Sequence, residues 1–145
     1  MKQFATALFL ALGLTLLGCG SSNSSSGNIN GTWNATLTDS NNVQAFTFGV
    51  SIVQNSDGSL SLSNFTFNSN SPCFVSDETA TGSFTLSGNF SGTVKGTFGF
   101  VIDSGTPAGN TLTLNGTANG NTITGTWTMA GTGCSGTGTF TMTKS

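Results

Sequence analysis

From Gly31 onward the chain alternates between apolar and polar residues at every second position. In Gly31–Thr38, Gly31, Trp33, Ala35 and Leu37 share one face, while Thr32, Asn34, Thr36 and Thr38 share the other. Val43–Gln54 aligns Phe46, Phe48, Val50 and Ile52. Ser59–Phe67 begins with Leu60 and Leu62, then changes phase to Phe65 and Phe67, which predicts a bulge near Ser63 and Asn64. Thr79–Gly88 aligns Phe84 and Leu86, and Gly92–Asp103 aligns Val94, Gly96, Phe98, Phe100 and Ile102. Asn110–Ala118 aligns Leu112, Leu114 and Ala118; Thr122–Ala130 aligns Ile123, Gly125, Trp127 and Met129; Gly136–Thr143 aligns Gly138, Phe140 and Met142. The opposite faces are mostly Thr, Ser and Asn. A period of two predicts strands with one buried and one wet face. No helical period of useful length interrupts them.

The connections carry turn chemistry. Asp39-Ser40-Asn41-Asn42, Asn55-Ser56-Asp57-Gly58 and Asn119-Gly120 favour hairpins. Asn68 to Glu78 is the longest loop and contains Pro72 and Cys73. Every connection is short enough for an antiparallel neighbour, so a meander is the simplest topology. The expected fold is all-β, an eight-stranded antiparallel up-and-down β-barrel; a two-sheet β-sandwich is the alternative. Closure removes both edges of the sheet. That matters here, because Thr-rich, nearly uncharged strands lack the Lys and Pro that block edge-to-edge pairing. Inside the barrel the pattern places Trp33, Phe46, Phe48, Phe84, Phe98, Phe100, Trp127 and Phe140. A short phrase recurs: Gly31-Thr32-Trp33, Gly96-Thr97-Phe98, Gly125-Thr126-Trp127 and Gly138-Thr139-Phe140. Each Gly leaves inward space that an aromatic ring can fill.

A Gly-x-Trp at the start of the first strand of an eight-stranded meander, here Gly31-Thr32-Trp33, is similar to the calycins, the lipocalins and avidin-like barrels. The resemblance implies the barrel and no particular ligand. The chain has no Arg to stack on the Trp and no Tyr for a biotin pocket.

The first residues read differently. Met1-Lys2-Gln3 is a basic start, and Phe4 to Leu17 is an apolar run shorter than the ~20 residues of a spanning helix. The run ends in Leu16-Leu17-Gly18-Cys19, which resembles the lipobox of bacterial lipoprotein signal peptides. That resemblance implies cleavage after Gly18 and acyl chains on Cys19, which hold the protein to a membrane without spanning it. Gly20 rather than Asp follows the Cys, which in a Gram-negative cell implies the outer membrane over the inner. The expected organisation is a signal peptide over 1–18, a lipidated Cys and Ser/Asn/Gly tether over 19–30, and a β-barrel over 31–145.

Composition narrows the chemistry. Only 6% of the 145 residues are charged, and there is no His. The commonest general base and the commonest metal ligand are therefore missing. A nucleic-acid binder needs a basic patch, which three Lys cannot supply. With Cys19 as first residue, Lys95 and Lys144 face Asp39, Asp57, Asp77, Glu78 and Asp103, a net charge of −3. Asp77-Glu78 is the only adjacent carboxylate pair, and its loop position predicts solvation, not catalysis. The Asn55–Gly58 turn offers too few oxygens for calcium. In an exported protein Cys73 and Cys134 most simply form a disulfide. Both fall in loops at one end of an alternating barrel, so the Asn68–Glu78 loop must fold across the mouth. The chain termini fall at the other end.

The expectation is a non-catalytic, membrane-anchored lipoprotein with a filled or nearly filled barrel, no cofactor, and a structural or surface role. Alternatives are a binding lipoprotein for a small apolar ligand in the barrel, and recognition of ice or glycan by the outward Thr face. A pocket above ~300 Å³ would favour binding. The sequence leaves the oligomeric state open.

Overall fold

The computed structural model describes residues 28–69, 71–74, 77–90, 93–104 and 109–145. They form eight strands: β1 Gly31–Asp39, β2 Gln44–Gln54, β3 Leu60–Ser69, β4 Thr79–Phe90, β5 Thr93–Asp103, β6 Thr111–Asn119, β7 Thr122–Ala130 and β8 Gly136–Lys144. All pair antiparallel in one sheet of order β3-β2-β1-β8-β7-β6-β5-β4. Because β1 pairs with both β2 and β8, the sheet curls into a nearly closed barrel. The fold is thus the barrel and not the sandwich.

Turn chemistry sets the hairpins. Asp39 Oδ1 accepts from the backbone N–H of Asn41 and Val43 at 2.8 and 2.9 Å, and Asn42 takes φ +62°. Asn tolerates this left-handed region better than most residues. At the β6–β7 turn Asn119 pairs with Thr122, and Gly120 takes φ +64° as the first central residue. The phase change in β3 is a bulge: Gly49 faces Thr66 while Ser51 faces Ser63, and Asn64 adopts φ +51°.

Three expectations need correction. Closure does not remove both edges. β3 and β4 meet through the single bridge Ser59–Ser83 and the bond from Phe84 N–H to Gly58 O at 2.7 Å. No ladder joins β3 to β4 among the described residues, and side chains such as Phe65 against Phe100 fill the seam instead. Leu86 does not join the core. It pairs with Gly96, where the Phe84 ring already takes the inward space, stands next to a register shift at Leu86/Gly88, and is 38% exposed. The Ser/Asn/Gly stretch does not stay clear of the barrel up to Asn30. Ile29 is buried at 1%, its carbonyl accepts the Trp33 indole N–H at 2.7 Å, and Asn30 Oδ1 accepts from Gln54 N–H at 2.7 Å. One apolar residue in a polar stretch was enough to dock it.

The core runs the length of the barrel. Burying rings of this size contributes about 1.5–3 kcal/mol each. Phe48 and Phe100 stack at 5.2 Å, and Phe98 and Phe100 at 5.7 Å. Phe65 touches both Phe48 and Phe100, at 5.9 and 6.2 Å, so the bulged strand supplies the rings that close the seam.

Candidate functional site

The interior holds all eight rings that the alternation points inward. Trp33, Phe84, Phe98 and Phe100 are at most 1% exposed, and Phe46, Phe48, Trp127 and Phe140 at most 3%. Glycines on the strands explain how they fit. A Cβ on Gly116 would stand 2.7 Å from Phe140 Cζ, and one on Gly138 would stand 2.6 Å from Trp127 Nε1. Of the phrase glycines, Gly96 makes room for Phe84 and Gly138 for Trp127, each a ring on a neighbouring strand, while Gly31 lies under Lys144 and Gly125 against the Asn115 and Gly116 backbone. Across Gly138 the Trp127 indole N–H reaches Thr38 O on β1 at 2.8 Å. Both Trp donors are therefore satisfied, Trp33 toward the end where the chain enters and Trp127 toward the other.

That other end carries the disulfide. Cys73 and Cys134 are bonded, with Cα atoms 6.0 Å apart. The β3–β4 loop folds across the mouth, as the same-end placement of the cysteines requires. Phe74 follows Cys73 into the core and meets Phe67 at 5.4 Å and Phe46 at 5.8 Å. Buried Asn110, just before β6, donates from Nδ2 to Cys73 O at 2.8 Å and fixes the loop. Its Oδ1 has no partner among the described residues. Phe74 lies outside every alternating segment, and Asn110 heads one on its apolar face, where a polar residue gives no sign of burial. An apolar residue beside a loop cysteine was the available signal.

The acids show ordinary turn roles. Val43 N–H, with Asn41, holds the Asp39 carboxyl below its usual value. The Ser59 hydroxyl, donating at 2.6 Å, does the same for Asp57. Asp77 is exposed at φ +59° and Glu78 is half-buried. Among the described residues no three His, Cys, Asp or Glu cluster as metal ligands would. Cys19 and its flanking motif lie outside the described residues.

The outer wall is organised as well. Four facing pairs join β7 to β8: Thr122–Thr143, Thr124–Thr141, Thr126–Thr139 and Thr128–Thr137. One row runs on around the barrel through Thr47, Thr36, Thr141, Thr124, Thr117, Thr97 and Thr85. A depression of about 350 Å³ lies on this wall, over β4, β5 and β6, lined by Thr81, Ser83, Gly99, Val101, Thr113 and Asn115. It is outside the barrel, where Gly99 leaves the wall bare.

The arrangement fits a calycin-like barrel in its strand number and pairing. No family model, curated protein or solved structure matches the chain.

Proposed function

We propose that the protein is a non-catalytic lipoprotein, anchored to the cell envelope through acyl chains on Cys19, whose filled barrel serves a structural or surface role. One observation carries the filled-barrel part: the inward rings interlock and are at most 3% exposed. An eight-stranded barrel is just wide enough to be filled by side chains or to hold one small ligand. Here Trp33, Phe98, Phe100, Phe140 and Trp127 occupy that space. The 350 Å³ depression is not a cavity for a ligand in the barrel, because it lies on the outer wall over β4, β5 and β6. The anchor rests on Leu16-Leu17-Gly18-Cys19 and the apolar run before it.

Native mass spectrometry of the protein extracted from its own host tests both parts. The expected mass is the chain from Cys19 plus acyl groups, with no further bound molecule. A co-purifying small apolar molecule would replace the filled-barrel reading with the binding one. An intact Met1 to Gly18 segment with no acyl mass would remove the anchor.

The threonine grid favours a second reading, recognition of ice. Strands sit about 4.8 Å apart and alternate residues about 6.7 Å apart, so paired threonines repeat on a fixed lattice. No charge interrupts the four β7–β8 pairs. Partition of the protein into slowly grown ice tests it, and Thr124→Lys with Thr139→Lys should abolish uptake. Equal exclusion of wild type and variant from ice would end this reading.

A further inference from the structure

The two ends of the barrel differ in charge. The disulfide end holds Asp39, Asp77, Glu78 and Asp103, four of the five acids. Lys95 and Lys144, the only cations after Lys2, both lie at the opposite end, with Asp57. Lys95 pairs with Asn119 beside the β6–β7 turn, and the Lys144 side chain lies across Gly31 at the start of β1. The same end carries Val53 and Leu86, large apolar side chains 54% and 38% exposed; the third such residue among those described, Val43, is in the β1–β2 turn at the disulfide end. The β4–β5 hairpin projects there, since Asn89–Val94 and Phe90–Thr93 pair past the last rung that β5 shares with β6. The chain also enters at this end. Asn28 stands nine residues after Cys19. Nine residues span about 31 Å fully extended and about 17 Å as a Gly/Ser-rich coil.

We infer that this end of the barrel is a lipid-contact face. It rests on the headgroups of an anionic bilayer, with Lys95 and Lys144 toward the phosphates and Val53 and Leu86 at the boundary, while the acidic disulfide mouth points away. The inference depends on the reading of Cys19 as the lipid anchor. Three things select a bilayer as the occupant. Both cations face it and four of the five acids are turned from it, so orientation follows charge. Exposed apolar groups at the same end as both lysines suit a surface with apolar depth under a charged layer. The short connection from Cys19 holds this end, and not the other, within reach of the membrane.

The test uses the full-length protein, processed in a bacterial host and reconstituted into two kinds of vesicle. One is phosphatidylethanolamine with phosphatidylglycerol; the other is phosphatidylcholine alone. Intact mass reports the acyl chains independently of orientation. A water-soluble amine-acetylating reagent, read residue by residue, reports Lys95 and Lys144. On the anionic vesicles both lysines should lose most of their labelling relative to the neutral ones. Val53→Asp with Leu86→Asp should restore it. Acyl chains present with equal labelling on both vesicles would overturn the lipid-contact face and leave the anchor standing. Mass without acyl chains would remove the anchor, and the contact face with it.

Discussion

At the scale of single residues, packing is decided by where side chains are missing. Gly138 is the sharpest case. A Cβ there would run into Thr38 O and the Trp127 indole, whose N–H crosses that gap to bond Thr38 O. Overpacking a filled core typically costs about 1–3 kcal/mol. Gly138→Ala should therefore lower the urea midpoint by an amount in that range, and Trp127 emission should shift as the indole loses its partner. Gly99→Ala is the matched control, because its Cβ would meet only the Ser83 hydroxyl, at 3.1 Å on the open wall. Equal midpoints for the two variants would show that the glycine phrase has no packing role. The sequence made the need for space visible, since Gly sits two residues before an aromatic in four strands. It did not show whose ring takes the space, because that depends on register. Gly125 faces Phe140 and Gly138 faces Trp127 only once β7 and β8 are paired.

At the scale of elements, alternation reports which face of a strand is buried and says nothing about which edge is bonded. The strand positions, the β3 bulge and the inward rings were legible for that reason. The β3–β4 seam was not, because a break in the ladder leaves the face pattern intact. Ile29 and Phe74 were hidden by a related limit: each is a single apolar residue in a polar segment, too short to have a period. The β3–β4 loop compensates for the open seam. Cys73 ties it to Cys134 across a separation of 61 residues, and Phe74 packs on Phe46 and Phe67 where β3 is paired with β2 but not with β4. In the chain-entropy account, closing a loop of this size contributes about 4 kcal/mol. A Cys73→Ala, Cys134→Ala double variant should lose up to that amount in urea unfolding. Its hydrogen exchange should quicken first in Phe65–Ser69 and at Phe74, with β7 and β8 unchanged until global unfolding. Uniform acceleration across all eight strands would mean that the loop is not a local fastener.

At the scale of the whole molecule, the strand order departs from the chain order at one place. Each strand pairs with its successor except β3 with β4, while β1 and β8, the first and last of the eight in chain order, form a full ladder from Trp33–Lys144 to Asp39–Gly138. The ends are locked further by the bond from Ser145 N–H to Thr32 O at 2.9 Å. Starting at β4 instead, the order reads β4 through β8, then β1, β2 and β3, an uninterrupted meander of hairpin neighbours. The native chain must close the long-range β1–β8 ladder before the barrel exists, and non-local pairing slows folding, to roughly milliseconds to seconds for β-barrels of this kind. A permuted chain would make the same ladder from adjacent strands. Joining Ser145 to Asn28 through a short Gly/Ser linker, and opening the chain between Phe74 and Asp77, leaves all seven ladders and both cysteines in place. This permutant should fold to the same β spectrum with one cooperative transition. It should also refold faster than the native order of residues 28–145 when both are measured with the disulfide intact. Loss of cooperativity would mean that the continuous β3–β4 connection, and not the bridge, the disulfide and the packed rings, holds the seam. Refolding at equal rates would mean that β1–β8 closure does not limit the native chain.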